Sequence, residues 1–198
     1  HPDQLAAAKS FLMVPVYLNY LLCGVAANEY TNASTTALVG ADSKDWDDAL
    51  IAMLGLPRDI FQSVKMAGTV LGHLTPEMQA KVGFDAEVIL PATHDTGSAF
   101  LAVPARDEFA VYLSSGTWSL LGVENAAAIT SADSCAANFT NEGGYEYRYR
   151  YLKNIMGLWM IQSVRRELGE QNGTRPSFPE LFAAAMEAAD FGGCVDPN

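Results

Sequence analysis

The chain has 198 residues, 49% of them hydrophobic and 18% charged, and its 12 basic against 23 acidic side chains leave a net charge of -11. That balance excludes a disordered chain, because there is enough apolar material for a real core. It also excludes nonspecific binding to nucleic acid, whose phosphates select Lys and Arg. A nucleotide is still permitted, since a local donor-rich loop binds phosphate on an acidic protein. The length fits one domain or parts of two. Cys23, Cys135 and Cys194 are odd in number and irregularly spaced, and read as three reduced thiols. No apolar run reaches membrane-spanning length. The first ten residues have no basic region or apolar core of a signal peptide. A cytoplasmic protein without membrane contact is therefore expected. The chain begins without Met, which reads as a piece of something longer.

Residues 5–23 are apolar at helical spacing through Phe11, Leu12, Tyr17, Leu18, Leu21 and Leu22. Pro15 interrupts them, so two helices or one kinked helix are predicted, with Gly24 as the C-cap. Tyr30 to Thr36 is rich in hydroxyls and reads as a capped short helix or turn; no site is assigned there. A helix between Ser43 and Gly55 is capped by Ser43 or Asp45, with Trp46, Leu50, Ile51 and Leu54 on its apolar face. Pro57 begins a short turn or helix through Phe61. Val64 to Leu74 is a strand or a bent hairpin, and Thr75-Pro76-Glu77 opens a helix with Pro in its first turn. His73 reads as structural, with no Cys or acid at metal-ligand spacing.

Glu87 to Leu90 is a short buried strand stopped by Pro91. His94-Asp95-Thr96-Gly97-Ser98 follows, and Ala99 to Val103 reads as helical. An acid and an imidazole thus stand where a strand ends and a helix begins, the place where α/β folds bind ligands. An Asp there also serves as a plain helix cap. Pro104 to Glu108 is the linker-like segment and the candidate boundary between residues 1–104 and 105–198. Ala110 to Ser114 and Thr117 to Leu121 flank Ser115-Gly116, a hairpin signal. Its backbone N–H groups and the hydroxyls of Ser114, Ser115 and Thr117 can cradle a phosphate, although such a turn needs no ligand to explain it. Together the two features suggest phosphoryl transfer.

Residues 124–137 read as a loop and Asn141 to Gly144 as a turn. Tyr145 to Tyr151 alternates aromatic and charged side chains, which predicts a half-exposed strand with its arginines in solvent. Aromatic side chains with Arg can stack nucleic-acid bases, but the acidic total favours a solvated sheet face. Asn154 is placed as the N-cap of an amphipathic helix over residues 155–168, whose apolar members include Met156, Trp159, Met160 and Val164. Gln162 lies two turns beyond Asn154, so both could face one groove. Phe178 to Ala189 is a last helix ended by Phe191-Gly192-Gly193, and the chain stops at Val195 to Asn198.

HDT at 94–96, SSGTW at 114–118, TNEGG at 140–144 and LKNIMGLW at 152–159 occur in that order. In these segments the chain resembles the rhamnulokinase branch of the FGGY carbohydrate kinases, and the likeness runs over nearly all of its length. The resemblance implies an α/β fold of the actin-like, ribonuclease-H-like kind, partial and spanning two domains. Residues 1–104 would end the sugar-binding domain and residues 105–198 would begin the nucleotide-binding domain. It implies transfer of the γ-phosphoryl of MgATP to the C1 hydroxyl of L-rhamnulose, with a small sugar and ATP as partners and Mg²⁺ as cofactor. By the same matching Asp95 is the general base, and His94, Asp95, Thr96 and Asn154 contact the sugar. Thr117 and Gln162 contact ATP, and no residue of this chain is assigned as a metal ligand. L-fuculose kinases share HDT and SSGTW, and a kinase-like protein that binds sugar without catalysis is a further alternative. Gly97 stands where the family commonly has Ala. The family's phosphate loop, with its Mg²⁺-binding Asp, is expected before residue 1, and its adenosine motif after Asn198. The chain alone is accordingly expected to fold poorly and to lack activity.

Overall fold

The computed structural model describes residues 1–190, 192 and 193; the readings for Phe191, Cys194 and Val195 to Asn198 lie outside the described residues. In chain order the elements begin with α1 (Pro2–Ala7), α2 (Val14–Cys23), β1 (Asn28–Glu29), α3 (Tyr30–Ala33), α4 (Asp48–Met53), β2 (Val64–Lys65) and β3 (Val70–His73). There follow α5 (Pro76–Val82), β4 (Glu87–Ile89), α6 (Asp95–Ala102), β5 (Tyr112–Ser115), β6 (Trp118–Asn125), α7 (Ala132–Ala136) and β7 (Thr140–Gly143). The last are β8 (Tyr149–Met156), α8 (Leu158–Asn172) and α9 (Phe178–Glu187). Packing divides the chain into a first unit, His1–Ala110 with Val123–Leu152, and a second, Val111–Gly122 with Lys153–Asn198.

In the first unit Pro15 sits in the opening turn of α2, where its missing N–H costs nothing, so the early apolar stretch is two helices. Gly24 closes α2 at φ 75°, as the sequence predicts. The cap of α4 is Asp47, whose Oδ1 accepts from the N–H groups of Ala49 (2.9 Å) and Leu50 (3.1 Å). Ser43 and Asp45 are not the cap, because both side chains are engaged in the turn before Trp46. Trp46 and Phe61 centre the apolar core with Ala33, Leu38, Ile51 and Ile60. Their rings meet edge-on at 4.9 Å, and Trp46 Nε1 donates to Gln62 O at 2.7 Å, so the indole is buried without an orphan donor.

Strand β1 pairs parallel with β2, matching Asn28 to Val64. Strand β3 runs antiparallel to β4, from Val70↔Ile89 to His73↔Glu87. Val88 and Leu90 are buried while Ile89 is exposed, so the strand predicted as buried is covered on one face. Strands β7 and β8 pair antiparallel, from Thr140↔Leu152 to Gly143↔Tyr149. Three readings of this region are corrected. Residues 124–137 contain α7, capped by Ser131. Asn141 to Gly143 is strand and not turn. The strand predicted from Tyr145 starts only at Tyr149, because Glu146 and Tyr147 adopt φ 54° and 59°, which no strand accommodates.

In the second unit β5 and β6 form a hairpin, paired from Tyr112↔Gly122 to Ser115↔Ser119; Ser115 is a strand residue and the turn lies at Gly116-Thr117, one position later than the sequence suggests. Strand β8 runs on through Asn154 to Met156, so Asn154 is a strand residue and not a helix cap. The helix begins three residues later than read, after Gly157. The apolar pattern of Leu152, Ile155 and Met156 suits either element, and Gly157 is where the backbone changes. Helix α9 carries a full capping box between Ser177 and Glu180.

Candidate active site

Strand β4 ends at Ile89, and α6 opens on Asp95 with His94 in the N-cap position, though the His94 side chain makes no capping bond. The Asp95 side chain is 97% exposed. Its Oδ1 accepts from the Thr96 N–H at 2.6 Å and lies 3.4 Å from Thr96 Oγ1. Thr96 itself is buried. His94 is the half-buried partner, 23% exposed, with Nε2 3.8 Å from Asp95 Oδ1, in range for charge but too long for a hydrogen bond.

Behind this turn lies Glu29, 1% exposed. Its carboxylate caps α3 by accepting from the N–H groups of Thr31 (3.0 Å) and Asn32 (3.3 Å). Oε2 also accepts from Thr93 N (2.9 Å), from Thr93 Oγ1 (3.0 Å) and from the Thr31 hydroxyl. Thr31 Oγ1 in turn accepts from the His94 N–H at 3.2 Å. A buried carboxylate with this many donors is satisfied as such sites require, and it fixes the backbone that carries His94. Sequence reasoning assigned nothing to this segment. The available signal was an acid directly before Tyr30-Thr31-Asn32, in the position of a cap.

Arg150 completes the surroundings. It is fully buried, against the reading that placed it on a solvated face. Nε and Nη2 donate to Gly143 O at 3.1 and 3.0 Å, and Nη1 reaches His94 Nδ1 at 3.0 Å. Nη1 also lies 3.1 Å from Glu142 Oε2, an ion-pair distance without hydrogen-bond alignment, and that buried oxygen has no hydrogen-bond partner among the described residues. Burial pushes the Arg150 pKa below its ordinary value, with Glu142 opposing the change. Burial, and then the Arg150 charge, hold the His94 pKa below its ordinary value, against Glu142, Asp95 and Glu29. Gly97 fits this packing: a Cβ there would stand 3.2 Å from Thr31 Cβ and 3.4 Å from Arg150 Cζ. An exposed carboxylate beside an imidazole held from behind can take a proton from a ligand hydroxyl while the ring contacts a neighbouring oxygen.

In the second unit Thr117 is exposed at the hairpin tip. The Gly116 N–H donates to Trp118 O at 2.8 Å, and the carbonyls of Gly116 and Thr117 accept from the N–H groups of Leu158 (3.0 Å) and Trp159 (3.3 Å). The hairpin thus satisfies two of the orphan donors at the start of α8. Gly157 permits the approach, since a Cβ there would lie 2.6 Å from Ser119 Oγ and 2.7 Å from Gly116 O. Asn154 is exposed on β8 and Gln162 is exposed on α8; the two do not share a helix.

Among the described residues no group of three or more His, Cys, Asp or Glu side chains could hold a metal ion. None of their helices is long and apolar enough to cross a membrane. Cys23 and Cys135 are free thiols. His73 Nδ1 lies 2.8 Å from Asp85 Oδ2 in an exposed pair.

The chain is 51% identical to a rhamnulokinase of Oceanobacillus iheyensis over 196 residues, covering 99% of this chain and 40% of that protein. It is 53% identical to a rhamnulokinase of Halalkalibacterium halodurans over 198 residues, covering 100% and 41%. It therefore spans about two fifths of the length of these relatives. Among solved structures it superposes on a ligand-bound xylulose kinase from Lactobacillus acidophilus with a TM-score of 0.77 at 17% identity, over 92% of this chain and 36% of that one. A xylulose kinase from Rhodospirillum rubrum gives 0.77 at 19% identity, over 96% and 38%. The fold is accordingly the actin-like, ribonuclease-H-like α/β fold of these kinases. Residues 1–102 match the N-terminal domain of the FGGY family of carbohydrate kinases and residues 111–198 its C-terminal domain. With both domain models matched in sequence and the strand-to-helix turn at His94-Asp95 present in the structure, the chain belongs to the FGGY family of carbohydrate kinases.

Proposed function

We propose that the whole protein carrying this chain is an ATP-dependent kinase that phosphorylates the C1 hydroxyl of L-rhamnulose in the cytoplasm. The observation that carries the reading is Asp95, an exposed carboxylate at the start of α6, in a chain similar to rhamnulokinases along its entire length. Asp95 takes the hydroxyl proton as the sugar oxygen attacks the γ-phosphorus, which is the main covalent assistance that phosphoryl transfer needs. His94 and Thr96 belong to the sugar side, Thr96 through its place under Asp95, and Asn154 offers an exposed amide to the sugar. Thr117 and Gln162 belong to ATP. Residues 1–104 would then be the end of the sugar-binding domain and residues 105–198 the start of the nucleotide domain.

Mg²⁺ would neutralise charge on the transferring phosphates. Among the described residues no group of three or more His, Cys, Asp or Glu side chains could hold such an ion; Mg²⁺ is commonly bound through one or two carboxylates, water and the substrate phosphates. Because the chain spans two fifths of its relatives, the activity is assigned to the whole enzyme, and residues 1–198 alone are expected to be inactive. L-fuculose is the competing substrate. The two ketoses carry the same groups in different orientation, so placed polar side chains must decide between them. Comparing kcat/KM for both with one preparation of the whole enzyme is the test: a higher value for L-rhamnulose is expected, and a higher value for L-fuculose overturns the assignment. Binding of either sugar with no phosphorylation would leave a sugar-binding protein instead.

A further inference from the structure

We propose that Arg150 is a positioning residue that fixes His94 as the neutral Nε2–H tautomer, so that the ring offers a hydrogen-bond donor to an oxygen of the sugar held at Asp95. The proposal rests on the sugar-kinase reading for the identity of the ligand, but not for the state of the ring.

A guanidinium has five N–H donors, no acceptor, and a charge it does not lose. Arg150 Nη1 stands 3.0 Å from His94 Nδ1, so Nδ1 must present its lone pair. The ring proton then sits on Nε2, the nitrogen nearer Asp95, 3.8 Å from its Oδ1. The opposite arrangement fails twice. A proton on Nδ1 would point at a guanidinium, and Glu142 Oε2 is 3.7 Å from Nδ1, too far for a hydrogen bond. Doubly protonated His94 would place a second positive charge against a buried one. Among the described residues Arg150, Glu142 and Asp95 stand around the ring, and the charge of Glu29 also acts on it. Arg150 cannot turn away, because Nε and Nη2 are both committed to Gly143 O and its side chain has no exposure. The main chain at His94 is held as well, since the backbone N–H of His94 donates to Thr31 Oγ1.

The functional consequence is a division of labour between neighbours. Asp95 accepts a proton from one sugar hydroxyl, and His94 donates to the lone pair of an adjacent oxygen. A hydroxyl group can satisfy both, whereas a ligand with no oxygen at the second position leaves the Nε2–H unpaired.

The test uses the whole kinase labelled with ¹⁵N in its histidines, with the His94 signals identified by their loss in His94→Gln. Long-range proton–nitrogen spectra of the sugar-free enzyme at neutral pH should show Nε2 protonated and Nδ1 bare. A proton on Nδ1, or an imidazolium, overturns the proposal whatever sugar the enzyme prefers. Arg150→Met should yield a mixture of tautomers and move the acid limb of kcat/KM for the sugar to higher pH by about one pH unit, as removing a facing charge does. Arg150→Lys, which keeps a charge and a donor, should restore both. An unchanged tautomer in Arg150→Met, or a pH limb that stays in place, also overturns it. If the Met variant does not fold, the parent and Lys spectra decide: the same Nε2–H tautomer in both supports the proposal, and a Nδ1–H tautomer in either refutes it.

Discussion

Among the described residues the side-chain hydrogen bonds of Asp95 fall on Oδ1, which takes the Thr96 N–H and lies 3.8 Å from His94 Nε2. The carboxylate is thereby oriented by its own helix turn while the side chain stays open to a ligand. Replacing Asp95 with Asn keeps that turn, because the amide oxygen still accepts from Thr96, and removes the proposed base. Turnover of the whole kinase should fall by about two to four orders of magnitude, with the sugar KM changing far less. Near-normal turnover would show that the proton leaves by another route. Asp95 was legible in the sequence because strand, turn and helix lie next to one another there. Arg150 was not. A period of two says that Tyr149 and Arg150 point to opposite faces, but not which faces are covered. Here both are buried, with Tyr30, Thr31 and His94 supplied from far earlier in the chain. Glu29 was hidden for the same reason, since its partner Thr93 is 64 residues away.

At the scale of elements, the hairpin between β5 and β6 could be read from its glycine to within one position of the turn, while its attachment to α8 could not. Two helix donors bond to the hairpin carbonyls, and that contact exists only because Gly157 has no side chain. Adding one carbon would bring it within 2.8 Å of the Ser119 N as well as the two closer oxygens, a separation that forces the backbone to move. Gly157→Ala should cost about 1–3 kcal/mol, the usual range for overpacking, measured as a lower urea midpoint at unchanged slope. Because Thr117, the proposed ATP contact, rides on the same hairpin, the KM for ATP should rise while the KM for sugar holds. A variant with parental stability and ATP binding would show the junction to be slack. The late start of α8 has a similar cause: Asn154 is an acceptable cap by type, but the β8 ladder and the Gly157 approach decide where the helix begins.

At the scale of the whole molecule, the first unit is assembled from two separate lengths of chain, residues 1–110 and 123–152. That discontinuity sets an order in time when the protein is made. Glu29 and Thr93 are synthesised first, and Arg150 follows His94 by 56 residues. At roughly 5–20 residues per second of synthesis, the imidazole waits about 3–11 seconds for the arginine that fixes it. In that interval β7 and β8 are missing, so α3 and the start of α6 have no cover where Tyr149, Arg150 and Leu152 will later be buried. Ribosome-arrested chains exposed through residue 110 should therefore show little hydrogen-exchange protection at the amides of Thr93 and His94, and those exposed through residue 152 should show strong protection. Equal protection at both lengths would mean that the Glu29 bonds alone set the turn. Otherwise the newborn chain carries His94 and Asp95 before the strand that buries Arg150 beside the imidazole exists, and that setting is complete only once β7 and β8 arrive.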